Sequence, residues 1–143
     1  MKKIAVFFII IIAIVSCITY LYFNYIASYN NAQKENAKFE MYKDKEIQGS
    51  ELITIINKAI DTNEKNEVQK DNKGKYIDNK TNSINIDIKF IDDDLIYNIE
   101  KIYQNGTETF LYYYRDINFK CSDVQYHTTT GRVKYMQFEQ ITQ

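Results

Sequence analysis

The chain has 143 residues, which is enough for one modest domain and a short additional segment. Its 18 basic and 19 acidic residues leave a formal net charge of -1, so the basic excess of a nucleic-acid-binding protein and the acidic run of a disordered tail are both excluded. Ile, Asn, Lys and Tyr make up nearly half of the chain, a bias that indicates an AT-rich bacterial genome and weakens composition as a guide to function.

The N-terminal segment is strongly apolar. No charged residue occurs between Lys3 and Lys34, and residues 4–23 include 13 Ile, Val, Leu or Phe side chains. At roughly -0.3 to -0.6 kcal/mol for each such residue near the centre of a membrane helix, these side chains favour insertion by about 4 to 8 kcal/mol. We therefore predict a transmembrane anchor over residues 1–27.

The flanks of the anchor predict its orientation. Lys2 and Lys3 should remain cytoplasmic, and Tyr20, Tyr22 and Tyr25 lie near the far end, where interfacial aromatic residues are common. We expect a single-pass protein of the cell membrane with a cytoplasmic N-terminus and an extracytoplasmic C-terminal domain.

Three alternatives compete with a permanent anchor. A cleaved signal peptide has a shorter apolar region. A lipoprotein would be lipidated at Cys17, because residues 14–17 (IVSC) resemble a lipobox, although residues 18–23 remain apolar where a polar linker is usual. A cytoplasmic core helix is rarely apolar on every side. Cys17 is therefore a candidate lipidation site.

The segment that follows the anchor divides into two parts. Residues 28–46 are polar with sparse apolar positions, and we predict that they continue the helix as a solvated stalk. Residues 47–143 are predicted to form the extracytoplasmic domain. In that domain Ser50 is a candidate N-cap for a helix with apolar residues at helical spacing that ends near Asn63.

The rest of the domain predicts strands and a second helix. Residues 83–91 alternate between apolar and polar, as in a half-buried strand, whereas residues 95–103 fit a strand or a helix. Residues 107–117 favour a helix, and residues 124–141 favour a β-hairpin with Gly131 in its loop. The predicted fold class is α+β: an N-terminal transmembrane helix and stalk, then a small antiparallel sheet with helices on one face.

The residues that bear reactive groups form no convincing site in the sequence. His127 is the only histidine, and we expect it on an exposed hairpin. Cys121 is six residues away, about 20 Å along a strand, which is too far for a shared zinc ion, and Ser122 and Asp123 are too far along the strand to complete a triad. Cys121 is expected to be a small buried residue, and Cys17 in lipid is too distant for a disulfide.

Three other patterns favour ordinary structural roles. The run Asp92-Asp93-Asp94 lacks the ligand spacing of a calcium-binding loop, and residues 73–75 (KGK) lack the spacing of a phosphate-binding loop. In the run 112–114, Tyr114 is expected in the core and its neighbours at the surface. No catalytic residue, cofactor site or metal site is predicted.

Several segments resemble uncharacterised clostridial single-pass membrane proteins. These are residues 49–59 (GSELITIINKA), 82–84 (NSI), 119–121 (FKC), 126–127 (YH) and 131–132 (GR). The resemblance implies no known activity. Its plan, an apolar helix extended into a stalk with a small α+β head, is similar to that of pilins and pseudopilins. This chain departs from type IV pilins because it has no Gly-Phe processing site after the lysines and no acidic residue near the start of the helix.

Two functional hypotheses follow. The first is a non-catalytic envelope or pilin-like subunit, with the membrane and other envelope proteins as partners and no nucleic acid. The second is a tethered binding module for a small ligand or wall component, which predicts an apolar pocket with convergent polar groups. An enzyme ranks third, because it would need His127 or an acidic pair gathered in a cleft.

Overall fold

A computed structural model describes residues 2–91 and 96–141, so the candidate calcium-binding run Asp92-Asp93-Asp94 lies outside the described residues. In chain order, the described residues form α1 (Lys2–Glu40), β1 (Glu46–Gln48), α2 (Gly49–Lys65), β2 (Asn85–Lys89), β3 (Ile96–Asn98), α3 (Ile99–Asn105), α4 (Thr107–Tyr114), β4 (Asn118–Tyr126) and β5 (Val133–Gln140). This arrangement confirms the predicted α+β class.

The strands of the described residues form one sheet in the order β1-β4-β5-β2-β3. Every neighbouring pair is antiparallel except β2 and β5, which run parallel, so the sheet is mostly rather than purely antiparallel. In the parallel pair, Ile86 of β2 lies beside Met136 of β5, and Ile88 lies beside Phe138. All four side chains are buried, which confirms the alternation predicted for β2.

Helix α2 packs its apolar side against the sheet. Leu52, Ile55, Ile56 and Ala59 are fully buried. The predicted N-cap is wrong, because the N-cap is Gln48 and the helix begins at Gly49, two residues earlier than a cap at Ser50 would require. A side chain at Gly49 is excluded, since a Cβ atom there would lie 1.9 Å from the carbonyl oxygen of Tyr114.

Residues 95–103, whose sequence fitted either a strand or a helix, contain parts of both. Their described part is β3, which pairs with β2, and α3, whose first turn is capped by the Asn98 side chain accepting a hydrogen bond from the Lys101 amide at 2.9 Å. Helix α4 ends at Tyr114, three residues before the predicted end. Between these helices and the sheet, Phe90, Phe110, Tyr114 and Phe119 pack as one aromatic cluster, with ring centroids 4.6 to 6.4 Å apart.

Candidate functional site

Helix α1 is long and apolar enough to cross a membrane, and no second helix in the described residues meets that test. Every side chain from Lys3 to Asn31 is exposed, including the 13 Ile, Val, Leu and Phe residues between positions 4 and 23. Such a long exposed apolar surface is not tolerated in water, whereas it matches the bilayer core. The helix is therefore compatible with a single-pass membrane anchor, as predicted.

The polar groups inside the apolar segment fit the same environment. The Thr19 hydroxyl donates to the carbonyl oxygen of Val15 at 2.7 Å, so it needs no water in the bilayer core. Tyr20, Tyr22 and Tyr25 are exposed near the end of the segment. Their rings can lie at the lipid headgroups, where Tyr is enriched.

Cys17 lies within the unbroken helix α1 and is exposed as a free thiol. Apolar side chains continue on both sides of it. Lipidation at Cys17 would require cleavage of the chain within this helix and would leave residues 18–27 as an apolar N-terminus.

The C-terminal third of α1 is fixed to the head. The predicted helical stalk over residues 28–46 differs from the structure in two respects: the helix ends at Glu40, and Ala32, Asn36 and Phe39 are buried against the domain. These three residues recur at intervals of four and three, so they share one side of the helix. Beyond residue 40 the chain turns and enters the sheet as β1, whose first residue, Glu46, falls inside the predicted stalk.

Asn36 joins the helix to strand β5 with both ends of its side-chain amide. Its Nδ2 donates to the carbonyl oxygen of Gly131 at 2.8 Å, and its Oδ1 accepts from the Val133 amide at 2.8 Å. The bond to Val133 is buried, and the bond to Gly131, in the hairpin loop, is partly buried. An amide that pairs with two backbone groups at the start of one strand fixes both the distance and the rotation of the helix.

An ion pair and an aromatic side chain reinforce the junction. Arg132 Nη1 lies 2.9 Å from Glu35 Oε2, and both side chains are more than three-quarters buried. Phe39 is almost fully buried in the same core as α2 and the sheet. Because Phe39 is in that core, α1 cannot move freely relative to the head.

The loop of the β4–β5 hairpin lies beside residues 25–33 of α1. Thr129, Thr130 and Gly131 line a cavity of about 300 Å³ together with Tyr25 and Tyr29. If residues 1–27 lie in the membrane, this loop lies at its surface. The 13 residues from 28 to 40 carry the helix about 20 Å further into the head.

His127 is buried at 2% exposure, so its predicted exposed position is wrong. Its Nε2 lies 2.8 Å from the carbonyl oxygen of Ser83. A carbonyl oxygen can only accept, so Nε2 carries the proton and the ring ties the hairpin to the chain before β2. The burial was missed because Ser83 is 44 residues away in sequence.

The residues considered for a triad have separate partners in the structure. Ser122 Oγ donates to the Gln137 carbonyl oxygen at 3.4 Å, and Asp123 Oδ2 accepts from Gln125 Nε2 at 2.7 Å. Neither is hydrogen-bonded to His127 within the described residues. Over residues 2–91 and 96–141, no three His, Cys, Asp or Glu side chains converge as metal ligands.

Cys121 and the tyrosine run occupy the positions predicted for them. Cys121 is buried, and burial raises the pKa of its thiol to about 11, so the unreactive protonated form dominates near neutral pH. Tyr114 packs on Phe90 with ring centroids 4.6 Å apart, whereas Tyr112 and Tyr113 are exposed.

Comparison of the chain with protein-family models, curated proteins and solved structures finds no match. The contacts between α1 and the head are the observations that bear on function. The sequence did not reveal Asn36, Glu35 or Arg132 as the residues of the junction. The only available signal was the spacing of Asn36 from Ala32 and Phe39.

Proposed function

We propose that the protein is a membrane-anchored, non-catalytic subunit of the cell envelope, with α1 in the cell membrane and the head immediately outside it. The observation that carries this proposal is the continuity of α1, which passes from an exposed apolar segment into a buried junction without a break. A protein that needs only to be tethered can use a flexible linker. A fixed head instead favours a role in which its orientation at the membrane matters.

The plan of the molecule also supports a pilin-like subunit. In this chain one long helix protrudes with its N-terminal part and packs its C-terminal part against a head with a mostly antiparallel sheet. The missing Gly-Phe site and acidic residue argue against assembly by the type IV pilin machinery, so we propose a similar plan without that route of assembly. The partners are other envelope proteins that contact the exposed surface of the head.

Membrane topology is tested with one introduced cysteine at a time in a Cys17→Ser background, in which the remaining Cys121 is buried. We expect a membrane-impermeant maleimide to label Glu108→Cys on the exposed surface of α4 in intact cells. Ile4→Cys, near the start of α1, keeps both lysines and should be labelled only after the membrane is permeabilised. Labelling of Ile4→Cys alone in intact cells, or recovery of the full-length chain in the cytosol, would refute the proposed location.

Intact mass of the wild-type protein from native membranes separates the forms of the N-terminus. The proposal expects the full-length mass. A mass that corresponds to a lipidated chain starting at Cys17 would show that the protein is held by a lipid anchor and not by a membrane helix. For the structural role, copurification from crosslinked cells should recover an envelope partner, and a strictly monomeric protein without one would contradict it.

A second candidate function, a tethered binding module, is favoured by a separate observation. A cavity of about 240 Å³ lies between α3, α4 and the end of β2, and aromatic side chains dominate its lining, with Asn105 and Thr109 as polar groups. That combination is typical of small-ligand sites. Thr109→Trp would fill the cavity and should abolish retention on purified cell-wall material, whereas the adjacent exposed substitution Glu108→Trp should not. Equal retention of both variants would exclude this role for the cavity.

A further inference from the structure

A third cavity, of about 200 Å³, lies between α3 and the loop that follows α2. Two hydrogen bonds fasten that loop over the helix: Glu100 Oε1 accepts from the Tyr76 amide at 2.9 Å, and Gln104 Nε2 donates to the Lys73 carbonyl oxygen at 3.1 Å. A single water needs only about 15 Å³ of such space, so the cavity can hold a small organic ligand. We call it the Glu100 cavity; its lining residues are Ile60, Lys70, Gly74, Tyr76, Glu100, Tyr103 and Gln104.

Glu100 is an unusual residue for the wall of a cavity. It is only 6% exposed, and its Oε2 is buried without a hydrogen-bond partner in the described residues. Burial of an ionised carboxylate is costly unless both oxygens are satisfied. A glutamine would serve the Tyr76 amide equally well, so the backbone bond does not explain why a carboxylate stands here.

The nearest candidate cation is engaged elsewhere. Lys70 lines the cavity, but its Nζ lies 2.6 Å from Glu64 Oε1, and Glu64 is its only ion-pair partner in the described residues. The same ammonium lies 4.7 Å from the centre of the Tyr76 ring. The Lys70 ammonium is therefore paired outside the cavity lining, and Glu100 has no ion-pair partner in the described residues.

We propose that the Glu100 cavity binds the primary ammonium group of a small ligand. A primary ammonium supplies the N–H donor that Oε2 lacks and the positive charge that offsets the carboxylate. Tyr76 and Tyr103 present aromatic rings beside it, which favour an organic cation over a strongly hydrated metal ion. Because Oε2 is buried, the ligand reaches it only when a side chain of the lining moves, and Tyr103 and Lys70 are lining residues with exposed side chains. This site requires neither a partner nor assembly in the envelope.

The test uses the full-length protein in detergent and ethylammonium chloride as the probe, followed by calorimetric titration. Three controls are matched to the probe. Sodium chloride supplies a positive charge alone, tetramethylammonium chloride supplies an organic cation without N–H donors, and ethanol supplies a molecule of similar shape without charge. We expect saturable binding of ethylammonium that exceeds the binding of all three controls. Glu100→Gln should weaken it by at least about tenfold, because a charge-assisted hydrogen bond is lost. Glu108→Gln, an exposed change of the same charge, should leave it unaltered.

A second variant covers the case in which Glu100→Gln does not fold. Tyr103→Leu removes one aromatic wall at an exposed position and should weaken ethylammonium binding by about two- to fivefold. Tyr112→Leu, an exposed tyrosine outside the cavity, should have no effect. The proposal is overturned if the wild-type protein shows no saturable binding, if tetramethylammonium or sodium binds as tightly as ethylammonium, or if Glu100→Gln binds like the wild type.

Discussion

Replacement of Asn36 by Ala should loosen the attachment of α1 to the head. The substitution removes two hydrogen bonds of 2.8 Å, a partly buried one to Gly131 and a buried one from Val133, and leaves the buried Val133 amide without its partner. A typical hydrogen bond contributes about 1 kcal/mol, and a buried group left unsatisfied costs about 1 to 3 kcal/mol. We therefore expect the free energy of unfolding to fall by roughly 2 to 4 kcal/mol.

Thermal unfolding of the full-length protein in detergent measures this effect. For a domain of about 100 residues, the expected loss lowers Tm by roughly 8 to 30 °C. Asn30→Ala is the matched control, because Asn30 is exposed on the same helix and the change in helix propensity is identical. If the two variants unfold at the same temperature, α1 is not held by the amide of Asn36 and the fixed junction is refuted.

Three further predictions follow from the described contacts. Phe39→Ala should lower the free energy of unfolding by about 3 to 5 kcal/mol in denaturant titration, whereas Met41→Ala at an exposed position should change it little. In a Cys17→Ser background, Cys121 should react with a thiol reagent at pH 8 only after denaturation, because its raised pKa of about 11 leaves roughly one thiolate in a thousand. Hydrogen bonding to a lysine of β5 lowers the pKa of Asp78 to about 2. The stability that Asp78 contributes is therefore present above about pH 4 and lost as pH falls through about 2, so Asp78→Asn should destabilise the protein at pH 7 and have little effect at pH 2.

The elements predicted correctly are those that local patterns determine. The long N-terminal helix follows from an apolar run long enough to span a bilayer, and strand β2 follows from four alternating apolar residues. The hairpin follows from a glycine with positive φ between two extended segments. In each case the pattern is complete within about 20 residues, and no distant partner is needed to interpret it.

The features that were missed depend on contacts between distant segments. His127 is buried because Ser83 lies across the domain, and α1 is docked because the end of the hairpin meets Asn36. Neither partner can be identified from local periodicity. Strand β1 was missed for the same reason, since its three residues become a strand only by pairing with β4. Glu100 lies between Ile99 and Lys101 in a segment that fitted a strand or a helix, so its burial had no signal in the sequence.

Two buried asparagines, Asn36 and Asn63, attach helices to the sheet by hydrogen bonds to its backbone. The Asn36 side chain accepts a hydrogen bond from the Val133 backbone amide at the start of β5. The Asn63 side chain donates to the Ile84 carbonyl oxygen and accepts from the Ile84 backbone amide, both at 2.8 Å. In both cases a side chain from a helix bonds the backbone at the start of a strand. Asn is abundant in this chain, which makes its presence uninformative, but a buried amide must find partners or destabilise the fold. Burial therefore separates the two asparagines that position α1 and α2 on the sheet from those that composition alone explains.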